Sequence, residues 1–147
     1  MAYELYTDGA CQPNPGKGGW AFILRKQGDN DRIVRSGFEQ DTTNNRMELQ
    51  AVVQGLRCFH EEVQGDSLHL FSDSQYLVKG IMIWSDRWYS QGWIKKDGKP
   101  VLNQDLWNEI YRLKQMFELK CTHVRGHQGI PLNEECDQLA VQAIKNG

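Results

Sequence analysis

Asp8, Glu48, Asp73 and Asp137 are far apart in the chain, but each stands at the end of an apolar segment or beside one. Brought together in a partly dry site, four ionised carboxylates would repel strongly, so either some of them hold protons or a cation neutralises them. A donor set made of oxygens, without a Cys or His cluster, suits a hard divalent ion, Mg²⁺ or Mn²⁺. Such a set can bridge two metals about 3.5–4 Å apart, the arrangement for in-line attack of water on a phosphodiester. Taken singly, each acid has an ordinary explanation. Asp8 can be a turn residue before Gly9, Glu48 a capping-box partner of Asn45 in "TTNNRMEL", Asp73 an N-cap and Asp137 a solvated helix side chain. The elements that carry them decide whether they can meet.

"YELYTDG" (3–9) reads as a short strand ending at an Asp-Gly turn signal. "GGWAFILRKQ" (18–27) is a second strand after a glycine-rich connection from Pro13 to Gly19, and "RIVRSGFEQ" (32–40) a third. Short connections make these an antiparallel meander. From Asn45 the period changes: Leu49, Val52, Val53, Leu56 and Phe59 recur at helical spacing, and the helix ends near Gly65. "SLHLFSD" (67–73) is a fourth strand, followed by a helix carrying Tyr76, Leu77 and Ile81 that runs into "WSDRWYSQGWIKKDGK" (84–99). Asp97-Gly98 marks a turn there and Pro100 blocks continuation. "NQDLWNEIYRLKQMF" (103–117) is helical through Leu106, Ile110, Leu113 and Phe117, and "LKCTHVRG" (119–126) is a fifth strand. The last helix opens at Pro131, with Leu132, Cys136, Leu139, Ala140 and Ala143 as its apolar stripe.

A meander followed by alternating helix and strand implies a mixed α/β sheet whose fourth and fifth strands run parallel to the first. If strands one and four are neighbours, Asp8 and Asp73 emerge at the same edge, with backbones roughly 4.8 Å apart. Ligands of open α/β sheets collect at that edge. The start of the Glu48 helix would arrive there too, and Asp137 lies beside, not opposite, the stripe of the last helix. Four carboxylates could then converge.

At 147 residues and 39% hydrophobic, the chain is the size of a single domain. No apolar run approaches the roughly 20 residues of a membrane span, and "MAYELYTDG" lacks a basic region followed by an apolar stretch, so the expected location is the cytoplasm. Cys11, Cys58, Cys121 and Cys136 form no C-x-x-C pair, which excludes a zinc knuckle or redox dithiol and points to free, mostly buried thiols. A net charge of −2 argues against an indiscriminate nucleic-acid binder. Local clustering matters more: in 84–99, Arg87, Lys95, Lys96 and Lys99 outweigh Asp86 and Asp97 for a local net of +2, among Trp84, Trp88 and Trp93. Gly16, Gly18 and Gly19 do not match a phosphate loop and are better explained by a tight strand connection.

"YTDGACQPNPGKGGW", "TTNNRMEL", "SDSQYL", "W...GW...KP", "DLW" and "VRGHQGIPLNEECDQLA", in this order and at these separations, closely resemble bacterial type 1 ribonuclease H from Tyr3 to about Ala143. The resemblance implies a ribonuclease H-like fold, a five-stranded mixed sheet in the order 3-2-1-4-5 flanked by helices, with a basic protrusion. It implies a monomeric enzyme that hydrolyses the RNA strand of RNA/DNA hybrids with two Mg²⁺ ions, leaving a 5′-phosphate and a 3′-hydroxyl. The family's metal-binding carboxylates fall on Asp8, Glu48, Asp73 and Asp137, so Glu48 is more than a cap, although it could serve the helix start as well.

His127 falls on the family's mobile histidine, thought to assist proton transfer or product release, for which a near-neutral side chain is suited. A nuclease that separates RNA from DNA must feel the 2′-hydroxyl across a shallow minor groove. By resemblance Asn14, Asn44, Asn45 and Gln75 line that groove, although turn or cap chemistry also explains the asparagines. The 84–99 segment resembles the protrusion that grips the DNA strand, with Arg87, Lys95, Lys96 and Lys99 as phosphate contacts and Trp84 and Trp88 beside them. The spacing of Trp84, Trp88 and Trp93 suits packing that holds the protrusion up better than stacking platforms. Relatives often carry an arginine where Asp41 stands, completing with Asn14 and Thr43 a pocket for a DNA phosphate. An aspartate there would repel the phosphate. A hybrid-binding module without catalysis, or a resolvase- or transposase-like nuclease on the same fold, are the competing readings. The acidic set argues against the first, and the protrusion and asparagines against the second.

Overall fold

The computed structural model describes residues 2–125 and 131–147. Strands β1 (Tyr3–Cys11), β2 (Gly16–Lys26), β3 (Arg32–Thr42), β4 (Ser67–Ser72) and β5 (Glu118–His123) form one sheet in the order β3-β2-β1-β4-β5. The first three pair antiparallel, while β4 runs parallel to β1 and β5 parallel to β4, as the pattern of short loops and crossovers requires.

The Asp8-Gly9 pair is not a turn. It lies inside β1, opposite Ala21 and Trp20, and the ladder continues to Cys11 opposite Gly18. The chain reverses only at 12–15, closed by the Gln12 N–H donating to the Lys17 carbonyl at 2.8 Å. Much of the glycine-rich connection therefore belongs to β2. The reason is packing: a Cβ on Gly19 would sit 2.2 Å from the Ala140 carbonyl, so the strand must be bare where the last helix crosses it.

Helix α1 (Asn44–Cys58) runs on through a π-helical turn (Phe59–Val63) and stops at Gln64, whose φ of 58° is left-handed. After β4, α2 (Gln75–Lys79), a second π-helical turn (Gly80–Trp84) and α3 (Ser85–Ser90) follow one another directly. Then come α4 (Gln104–Lys114) and α5 (Pro131–Asn146). The expected stripe of α1 is realised: Leu49, Val52, Leu56 and Phe59 are fully buried, packed with Leu5, Phe22 and Leu24 of the sheet and with α2 to α4. Each such side chain contributes on the order of 1.5–3 kcal/mol. On the opposite face Cys136 of α5 packs with Tyr6 and Ile23, flanked by Leu132 and Leu139.

The sheet is thus held between α1 and α5, which brings one acid to its edge from each side. Trp107 of α4 is fully buried, donates its indole N–H to Tyr76 Oη at 3.0 Å and meets Trp88 edge-on at 5.4 Å. All four cysteines are free, with Cys121 half-buried and the others buried. Among the described residues no helix is long and apolar enough to cross a membrane.

Candidate active site

Parallel pairing of β1 with β4 sets Tyr6 opposite Phe71, so two residues further on Asp8 and Asp73 are level at the same sheet edge. Asp8 is buried, and its Oδ1 accepts the Gly9 N–H at 2.9 Å. The same N–H donates to Glu48 Oε1 at 3.0 Å, so one backbone group of β1 ties the two acids together. A Cβ on Gly9 would lie 2.3 Å from the Glu48 backbone nitrogen, which is why a glycine follows Asp8: it lets the first turns of α1 lie against the strand.

Two of the ordinary explanations fail on hydrogen-bond geometry. Helix α1 is capped by Thr43, whose Oγ1 accepts the Arg46 N–H at 3.2 Å, so Asn45 is inside the helix and Glu48 is not its capping-box partner. Helix α2 is capped by Ser74, whose Oγ accepts the Leu77 N–H at 3.1 Å, so Asp73 is not the N-cap. His123 at the end of β5 places Nε2 3.2 Å from the backbone carbonyl of Asp73. Asp137 arrives from α5. All four acids line one open cleft of about 440 Å³, together with Asn44, Ser74 and Gly9. One oxygen each from Asp8, Glu48 and Asp73 lies within 4.8 Å of the others.

Burial, then the neighbouring Glu48 charge, holds the Asp8 carboxyl far above the usual carboxylate range. Burial raises Glu48 as well, outweighing its hydrogen bonds with Asp8 and the Gly9 N–H, and the charges of Asp73 and Asp137 add to the rise. Without a cation both carboxyls are therefore harder to ionise than ordinary acids. Glu48 Oε2 is buried and, among the described residues, receives no N–H or Ser, Thr or Tyr hydroxyl. A buried carboxylate oxygen without an N–H or hydroxyl partner, in a cluster of oxygens only, fits a hard divalent cation.

A family model described as RNase H matches residues 1–145. The chain belongs to the RNase H family. The Ribonuclease H of Rhodopirellula baltica is 48% identical over 145 residues, 97% of this chain and 90% of that one. LC9-RNase H1, a type 1 RNase H with the type 2 active-site motif, superposes with a TM-score of 0.83 at 29% identity, covering 99% of this chain and 72% of that one. RNase H1 of the halophilic archaeon Halobacterium salinarum NRC-1 gives a TM-score of 0.76 at 25% identity over 100% of both chains.

Of the polar candidates on this RNase H sheet, Asn44 lines the acidic cleft. Asn14 Oδ1 accepts the Asn44 N–H at 3.1 Å, joining the β1–β2 reversal to the start of α1. Thr43 spends its hydroxyl on the cap, and Asn45 and Gln75 are exposed in the first turns of α1 and α2. A larger groove, about 1000 Å³, is lined by Tyr76, Trp84, Arg87, Trp88, Lys95 and Lys96. It adjoins the acidic cleft through α2, since Ser74 lines one and Tyr76 the other. Gly92 and Trp93, with φ of 69° and 67°, turn the chain out of α3 into the reversal at 95–99, where Lys95 N–H donates to the Lys99 carbonyl at 2.8 Å. Trp88, which lines the groove, and Trp93, which packs on Tyr89 and Tyr111, are buried, 8% and 7% exposed, while Trp84 is half-buried and Arg87 and Lys96 are exposed. Lys99 is on the reversal, outside the groove lining. His127 lies outside the described residues. Gly9 and His123 are contributors that spacing does not reveal, because one acts through its N–H and the other on a backbone carbonyl.

Proposed function

We propose that this RNase H is a Mg²⁺-dependent endoribonuclease that hydrolyses the RNA strand of RNA/DNA hybrids, as a single monomeric domain over residues 1–147 working in the cytoplasm. The observation that carries this is the convergence of Asp8, Glu48, Asp73 and Asp137 in one cleft with a buried carboxylate oxygen, Glu48 Oε2, that receives no N–H or hydroxyl among the described residues. A pair of Mg²⁺ ions, or Mn²⁺ in their place, supplies the positive charge for in-line displacement at the phosphodiester, leaving a 5′-phosphate and a 3′-hydroxyl. The chain's own part is to hold that charge: Asp8 and Glu48 are fixed by the Gly9 N–H, Asp73 by the β1–β4 register and Asp137 by α5. Asn14, Asn44, Asn45 and Gln75 read the minor groove and its 2′-hydroxyls, and His127 moves a proton or helps product leave.

Arg87, Lys95, Lys96 and Lys99 hold DNA-strand phosphates, with Trp84 forming apolar wall and Trp88 supporting it from below. Hybrid affinity should then fall as salt rises, with a log–log slope of roughly −3.6 if all these cations are engaged. Anisotropy titrations of labelled hybrid across ionic strengths measure it, and a flat profile would remove the segment from binding. Asp41 shares a shallow cleft with Thr43 and Arg46. Arg46 is already engaged by Asp105, at 2.8 and 3.0 Å, and by Asn103, so Asp41 leaves that cleft without free positive charge. Asp41→Arg should tighten hybrid binding several-fold at low salt, about 1 kcal/mol. An unchanged Kd would contradict that reading of the cleft.

The decisive assay offers labelled RNA/DNA hybrid, duplex DNA and duplex RNA, each with Mg²⁺ or EDTA. Cleavage of the hybrid's RNA strand alone, abolished by EDTA, is expected. Binding without cleavage would make the protein a hybrid-recognition module, and cleavage of duplex DNA a nuclease of another kind.

A further inference from the structure

Lys114, on the last turn of α4, has a side chain only 12% exposed, although it is a lysine. Its ammonium is fully used: Nζ donates to the Ile81 carbonyl at 2.9 Å and to Ser85 Oγ at 2.9 Å, and pairs with Asp86 Oδ1 at 3.0 Å. Ser85, itself fully buried, donates back to the same Ile81 carbonyl at 3.2 Å. All of these acceptors sit where the π-helical turn Gly80–Trp84 passes into α3. That junction places Trp84 and Arg87 on the groove wall. One turn back on α4, Tyr111 stacks on Tyr89 of α3 at 4.2 Å, and Nζ lies 5.5 Å from the Tyr111 ring. Asp86, next to Arg87, would otherwise be a negative charge at the rim of a surface meant for phosphate.

We propose that Lys114 is a positioning residue for the groove. Resting on the hybrid-binding reading above, it fixes the junction at Ile81–Asp86, so that Trp84 and Arg87 face the nucleic acid, and it neutralises Asp86 beside Arg87. It touches neither substrate nor the acidic cluster, so it acts on substrate affinity and not on the chemical step. An ordinary packing lysine would affect stability alone.

The test compares the parent with Lys114→Met, which keeps the aliphatic stem and removes the charge, and with Ser85→Ala, which removes one acceptor at small cost in volume. Hybrid KM should rise about tenfold in Lys114→Met and several-fold in Ser85→Ala, with kcat within about twofold of the parent. Hydrogen exchange should accelerate selectively across 80–90 in both. A fall in melting temperature with KM and that exchange unchanged would make Lys114 merely structural and overturn the proposal. If Lys114→Met does not fold, Ser85→Ala decides by the same two readouts. A parent that neither binds nor cleaves hybrid would refute the functional reading instead, and exchange across 80–90 would still report on the clamp.

Discussion

Asp73→Asn is expected to lower the rate of hybrid cleavage at saturating Mg²⁺ by about three orders of magnitude or more, equivalent to at least about 4 kcal/mol of transition-state stabilisation. The substitution is nearly isosteric and the fold should tolerate it. Ser74, not Asp73, caps α2, and β4 is held by pairing on both of its edges. What is lost is one carboxylate oxygen at a cleft whose other acids come from β1, α1 and α5. Single-turnover rates with circular dichroism on the same samples make the comparison. A rate within tenfold of the parent would take Asp73 out of the site.

Asp8→Asn should have the opposite effect on the metal-free fold, raising its stability at neutral pH by about 2–3 kcal/mol, or roughly 4–12 °C in Tm. In the folded chain burial and the Glu48 charge hold Asp8 above its ordinary value, and burial does the same to Glu48. The folded state therefore binds more protons than the unfolded chain once pH exceeds the ordinary carboxylate range of about 4. Stability is fully present below that range and is lost progressively as pH climbs through neutrality. The amide introduced by Asp8→Asn keeps an oxygen for the Gly9 N–H and offers an NH₂ to Glu48, so it removes most of this slope.

Ion-paired acids act the other way. Hydrogen bonds from Arg46 lower Asp105 and those from Arg112 lower Glu109, so their contribution is present above the ordinary range and disappears as pH falls below it. The metal-free parent should be most stable under mildly acidic conditions. Thermal unfolding in EDTA from pH 4 to 8 tests this. Equal pH profiles for parent and Asp8→Asn would show that Asp8 is not strained by its neighbours. Added Mg²⁺ should stabilise the parent by mass action far more than the variant.

The strand count and the apolar stripes of α1 and α5 were legible from periodicity, because burial imposes it directly on the sequence, and the strand directions from the lengths of the connections. Local turn and cap chemistry was less legible. Asp8-Gly9 has the signature of a turn, yet the glycine is there for the approach of α1, a tertiary demand that no short window contains. Asn45 with Glu48 and Asp73 before its helix both have cap-like spacing, but Thr43 and Ser74 do the capping and release the acids to the cleft. The convergence itself depends on parallel register between segments 65 residues apart, as Tyr6 opposite Phe71 shows. Lys114 gives no sequence signal at all, since its acceptors are a carbonyl and side chains some thirty positions earlier.

Anomalous diffraction from crystals soaked in MnCl₂ locates a divalent ion without relying on activity. A strong manganese peak is expected between Asp8, Glu48 and Asp73, at about 2.0–2.3 Å from their oxygens. Manganese bound elsewhere, with that cleft holding none at millimolar concentration, would contradict a metal site among these acids.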